Sequence, residues 1–89
     1  MSELPDHAHI ASFRNLGPAS ASWLEAVDIR TVGDLRKLGS GLAFHIVRQR
    51  FPKANILLLY AMEAGLQDRH WQDLSPEERA SLREEARSV

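Results

Sequence analysis

The stretch RNLGPASASWLEAVDIRTVGDLRKL, residues 14–38, constrains the fold of this chain more than any other part of it. It sets a tight turn, Asn15-Leu16-Gly17, directly before Pro18. Proline suits the first helical position, where its missing N–H costs nothing. The helix it opens is expected to run to about Val27, break at Asp28-Ile29-Arg30 and restart at Thr31. Thr31 followed by Asp34 three residues on is a capping-box pattern, and Gly39 is expected to supply a left-handed stop. Two short helices joined by a tight break must therefore pack against something else, since neither is long enough to stand alone.

The remainder of the chain supplies that something. Phe44, Val47 and Phe51 fall on one stripe of a third helix, expected over Gly41 to Arg50, with His45, Arg48 and Gln49 towards water and Pro52 ending it. Asn55 is placed to cap a fourth helix, Ile56 to Leu66, in which only Glu63 is charged. A helix apolar on nearly all sides belongs at the centre of a domain. Ala61, Ala64 and Gly65 would let a neighbour approach it closely. After the connector 67–74, Ser75, Pro76 and Glu78 stand as N-cap, N1 and N3 of a fifth helix, whose apolar side (Leu82, Ala86, Val89) is thin. No segment alternates with a period of two for long enough to make a strand. The fold class is all-α: about five short helices around a central apolar one. Residues 1–9 read as a flexible N-terminal arm and residues 10–87 as the helical domain, entered through a short helical lead-in at Ile10 to Phe13.

Eighty-nine residues make one domain with one modest core. There is no cysteine, which excludes a disulfide scaffold and a thiolate metal site. The longest apolar run, Ile56 to Met62, is far short of a membrane span, and the expected location is the cytoplasm. The net charge of −1 conceals a gradient: residues 12–54 sum to +4, residues 55–89 to −3 and the first eleven to −2. The turn before Pro18 thus lies in the basic part. There the unpaired amides of a helix start and the helix dipole favour an anion such as a nucleic-acid phosphate.

The motif NLGPxSxxWLxxVxIxTVxDLxxLG resembles the helix-hairpin-helix class, in which a hairpin between two short helices grips a DNA phosphate through backbone amides. A longer pattern is closer still. Asn15-Leu16-Gly17-Pro18, Ile29 with Thr31-Val32 and Asp34-Leu35, Leu58-Leu59-Tyr60-Ala61-Met62-Glu63, and His70-Trp71 with Asp73-Leu74 together resemble the C-terminal domain of the TfoX (Sxy) competence-regulator family. That likeness spans about residues 10–87. It implies a role in switching on DNA-uptake genes through other transcription factors, in a bacterial cytoplasm. Two positions depart from the pattern: Asn15 stands where firm DNA binders place glycine, and Asp28 where the family tends to have glycine. TfoX-type regulators also carry a domain ahead of this one. Met1-Ser2-Glu3 reads as a natural start, so the chain is a free-standing version or a piece of a longer regulator.

Two readings of function follow. In the first, the hairpin contacts DNA backbone weakly and without sequence preference, through the amides of Leu16, Gly17 and Ala19 at the turn marked by Asn15, with help from Arg14 and Arg30. In the second, the domain binds a regulatory protein or dimerises, with Trp23, His70 and Trp71 as candidate anchors. Arg36, Lys37, Arg48, Arg50 and Lys53 are read as solvated cations near helix ends. His7 and His9 lack the spacing of a metal site, so no metal or cofactor is expected. No nucleophile–base pair or workable carboxylate pair is present, and the chain is expected not to be an enzyme. Glu63 is the one acid expected to be partly buried, held by a neighbouring helix.

Overall fold

A computed structural model describes residues 6–13 and 16–88. Among them are five α-helices and no strand: α1 (Pro18–Ala26), α2 (Val32–Leu38), α3 (Ser40–Arg50), α4 (Ile56–Leu66) and α5 (Pro76–Arg87). Two short 3₁₀ turns, Ile10–Ser12 and Trp71–Asp73, precede α1 and α5. The all-α architecture expected from the sequence is the one observed. Helix α4 lies at its centre, burying Leu58, Leu59, Tyr60, Ala61, Met62 and Ala64. Ile10, Leu24, Ile29, Leu35 and Val47 close around it. Among the described residues no helix is long and apolar enough to cross a membrane.

The helix starts follow local chemistry. Thr31 Oγ1 accepts from the Asp34 N–H at 3.1 Å, and the Asp34 carboxylate accepts from the amides of Arg30 and Thr31 at 3.1 and 3.2 Å. These backbone donors, Arg30 first and Thr31 second, hold the Asp34 carboxyl below the usual range. Ser75 and Glu78 form the same reciprocal box on α5. Asn55 Oδ1 accepts from the Leu57 amide at 2.9 Å. Both 3₁₀ turns are capped by histidine, whose Nδ1 accepts from the amide two residues on: Ala11 for His9 and Gln72 for His70.

The helix ends show what the sequence positions are for. α1 and α4 stop in the same way. Ile29 donates to Leu24 O and Asp28 to Glu25 O; Arg69 donates to Ala64 O and Asp68 to Gly65 O. In each case an aspartate carries the left-handed residue, with φ of 66° at Asp28 and 55° at Asp68. The position where the family tends to have glycine thus has a backbone that suits glycine. Gly39 departs from expectation. Its φ of 80° is positive, but its ψ of 155° is extended, and it serves at once as C-cap of α2 and N-cap of α3. Consequently α3 begins at Ser40, one residue earlier than the expected Gly41.

Residues 6–9 fall within the expected flexible arm. The structure lays them along the start of α2. Asp6 O accepts from Gly33 N at 2.8 Å and Ala8 O from Val32 N at 3.0 Å, satisfying first-turn amides of α2 that would otherwise lack partners. Arg36 pairs with Asp6, and His9 Nε2 lies 3.2 Å from Glu25. Residues 1–5 of that expected arm lie outside the described residues.

Candidate functional site

At the expected hairpin, Gly17 is the N-cap of α1, with extended backbone (φ −88°, ψ 175°) and no side chain to cap the helix. A β-carbon at Gly17 would meet nothing within 4 Å, so the helix start is open to its surroundings. The Leu16 amide already donates to Phe13 O at 3.4 Å, and Pro18 has no N–H. Of the expected donors, the amides of Gly17 and Ala19 have no hydrogen bond among the described residues. Arg14 and Asn15 lie outside the described residues. Arg30 follows the opposite end of the nine-residue α1, a helix about 13 Å long. Its guanidinium pairs there with Asp28 at 3.1 Å, both side chains largely in solvent. The structure therefore does not bring Arg30 to the hairpin.

The two tryptophans, far apart in sequence, do come together. Ser20 and Trp23 on α1, Leu57 and Ala61 on α4, and Trp71 line one groove of about 320 Å³. The Trp23 ring stacks on Phe51 with centroids 5.9 Å apart, and on that side it borders a second hollow of about 250 Å³ edged by Arg50, Pro52 and Lys53. Leu57 is 45% exposed, the one large apolar side chain so exposed among the described residues. It stands in the first turn of α4, directly after the N-cap Asn55, whose side chain accepts from the Leu57 amide.

Trp71 is held from behind. The Arg79 guanidinium sits 5.6 Å from the Trp71 ring centre and 5.5 Å from that of Tyr60. One Arg79 nitrogen reaches Gln72 O at 3.4 Å, while Nε is buried without a partner among the described residues. Contact with two aromatic faces accounts for a cation held so tightly. His70, the third expected anchor, stands beside Trp71. It is exposed, stacks beside Trp71 at 6.1 Å and uses Nδ1 to cap the 3₁₀ turn, outside the residues that line the groove.

Glu63 is half-buried and held as expected by a neighbouring helix. Its carboxylate accepts from Ser40 Oγ at 3.0 Å and from Gln67 at 2.7 Å. Ser40 opens α3, whose N-cap Gly39 offers no side chain, so α4 provides the acid at that helix start. The Glu78 carboxylate takes both nitrogens of Arg69, at 2.8 and 3.2 Å. Among the described residues no group of three histidine, aspartate or glutamate side chains is placed to hold a metal.

Leu57, Phe51 and Arg79 were not singled out from the sequence. In a helix as uniformly apolar as α4, no polar stripe marks which residue faces out, so Leu57 carries no local signal. Phe51 read as the end of a core stripe. Arg79 looks like any exposed arginine of an acidic helix until Trp71 is placed against it.

None of the curated proteins compared matches the chain. Two solved structures share the fold, both from Listeria monocytogenes. An uncharacterized protein in a triclinic crystal form superposes with a TM-score of 0.81 at 25% identity, over 91% of this chain and 92% of that one. A protein of unknown function in a tetragonal form gives a TM-score of 0.80 at 24% identity, over 89% and 98%. The family model of the TfoX C-terminal domain matches residues 6–86, starting where the segment laid along α2 begins. Nearly the whole chain is covered by that match, and the protein belongs to the TfoX C-terminal domain family.

Proposed function

We propose that this domain is a non-enzymatic interaction module of a TfoX-type regulator, acting in the bacterial cytoplasm on competence and transcription, and that it grips a partner protein through the Trp23–Leu57–Trp71 groove. The observation that carries this reading is the groove itself. Two tryptophans from different parts of the chain flank the one large exposed leucine among the described residues. Aromatic anchors around a concave apolar centre are the usual make-up of a binding hot spot, and an exposed leucine in a folded domain gains by being covered. The partner side chains that suit it are aliphatic or aromatic.

The test is a photo-crosslinking amino acid placed at position 57 in cells, with Ser81, exposed on α5, as the comparison site. Adducts with another protein at 57, absent at 81 and lost on Trp23→Ala, are expected. Adducts only with second copies would convert the reading to dimerisation, and none at 57 would remove it.

A second reading keeps the hairpin as a weak contact for DNA phosphate. It rests on the open, uncapped start of α1, where Gly17 and Ala19 present amides. With Leu16 engaged by Phe13 and Arg30 at the far end of α1, few donors and no described cation support it. Loss of selective amide shifts at Gly17 and Ala19 in a DNA titration at low salt would eliminate it.

A further inference from the structure

Helix α5 is acidic in sequence yet divided in space. Arg79, Arg83 and Arg87 recur every four residues and so form a row along one side. Glu78 and Glu85 line a separate hollow on the other, together with Glu63. Two members of the arginine row face α3, where Arg48 and His45 point towards them. Between the helices lies a groove of about 330 Å³ rimmed by His45, Arg48, Arg83 and Arg87. Its floor is Phe44, Ile56 and Ala86, and no carboxylate lines it among the described residues.

Only one of these cations, Arg87, meets a carboxylate among the described residues. Arg48 lies 5.7 Å from the Phe44 ring centre and forms no ion pair among the described residues. Arg83 donates 2.8 Å to the Tyr60 hydroxyl, a neutral acceptor. Arg87 meets Glu84 only at 3.7 Å, with both side chains mostly in solvent. The fold thus positions two of the guanidinium forks, those of Arg48 and Arg83, by an aromatic and a hydroxyl contact, and leaves Arg87 with one long, solvent-exposed carboxylate contact. Guanidinium forks match phosphate and carboxylate oxygens in pairs.

We propose that the α3–α5 groove binds the phosphate backbone of nucleic acid. A single carboxylate would neutralise one of the three arginines. A nucleic-acid strand carries a negative charge on every nucleotide, and so matches closely spaced cations from two helices better than the scattered acids of a protein surface. The floor of Phe44, Ile56 and Ala86 accommodates the sugar edge of the strand. This site is independent of both the tryptophan groove and the hairpin.

The experiment uses the whole chain, isotope-labelled, titrated with a short duplex DNA at about 50 mM and about 200 mM salt. Shifts are expected at the arginine side chains and amides of Arg48, Arg83 and Arg87. The variant R48Q/R83Q/R87Q should bind at least about tenfold more weakly at the lower salt, with the slope of log K against log salt falling by about 2 to 3. R48Q/R87Q keeps the Arg83–Tyr60 hydrogen bond and should show about two-thirds of that slope change. K37Q, altered at an exposed lysine on α2, should bind as the unaltered protein does. Shifts confined to Gly17 and Ala19, binding unchanged in both variants, or no binding at low salt would each overturn the proposal. Displacement of the DNA by polyglutamate of equal total charge at equal concentration would also overturn it, and would assign the groove to an acidic protein.

Discussion

Phe13 packs so closely against Gly65 that a β-carbon on residue 65 would lie 2.4 Å from Cε2 of the ring. Two further ring atoms would lie within 3.0 Å. This contact ties the segment ahead of α1 to the central helix, and it gives a physical reason for glycine inside an otherwise continuous helix.

Gly65→Ala is therefore expected to destabilise the fold even though alanine favours helix. The propensity gain is about 1 kcal/mol, and crowding a buried ring costs more, for a net loss of about 1 to 2 kcal/mol. Urea unfolding measures it. Combining Gly65→Ala with Phe13→Leu should cost at least about 0.5 kcal/mol less than the sum of the single changes, because the smaller side chain frees the space. Simple additivity would mean that the two residues do not meet.

Asp28 sits at φ 66° in the αL stop of α1, where a residue with a β-carbon is disfavoured. Asp28→Gly should stabilise the protein by about 0.5 to 1 kcal/mol, by removing that strain and a negative charge from a helix C-terminus. Asp28→Ala removes the charge and retains the strain. A melting temperature raised by glycine and not by alanine is the expected pattern. Equal effects of the two changes would show that charge, not backbone, is decisive.

Ser40 is 2% exposed, and its hydroxyl donates to the Glu63 carboxylate at the start of α3. Ser40→Ala should cost about 1 to 2 kcal/mol, since a charged acceptor loses its donor in a half-buried place. Ser40→Thr retains the donor and tests whether the site is polar or merely small. Equal losses for alanine and threonine would point to packing, and no loss for alanine would show that the hydrogen bond contributes nothing.

What was legible in the sequence was what local chemistry decides. The caps at Thr31, Asn55 and Ser75 each act within three residues, so their spacing alone places α2, α4 and α5. The 3₁₀ turn at Trp71 carries no such mark in the sequence, because its cap is a histidine nitrogen, a signal outside the usual cap residues. The arginine groove was not legible at all. Charge summed along the chain assigns Arg48 to a basic half and Arg83 to an acidic one, while the packing of α5 on α3 joins them. The tryptophans were named as anchors singly, but that Trp23 and Trp71 share a groove depends on how α1 crosses α4.

The Arg69–Glu78 clamp predicts an acid limit to stability. Paired nitrogens of Arg69, then the Ser75 amide, lower the Glu78 carboxyl from an ordinary value of 4.5 to about 2. The unfolded chain thus takes up the proton first as pH falls. The clamp's contribution is complete above about pH 4.5 and is lost progressively towards pH 2. Asp34, lowered by the amides of Arg30 and Thr31, acts in the same direction at the other end of the chain. Urea midpoints measured from about pH 6 down to about pH 2 should fall through this window. Glu78→Gln should start lower at neutral pH and fall less steeply, because a neutral amide keeps one partner of the capping box and does not titrate. Parallel curves for the two proteins would mean that other carboxylates set the acid limit.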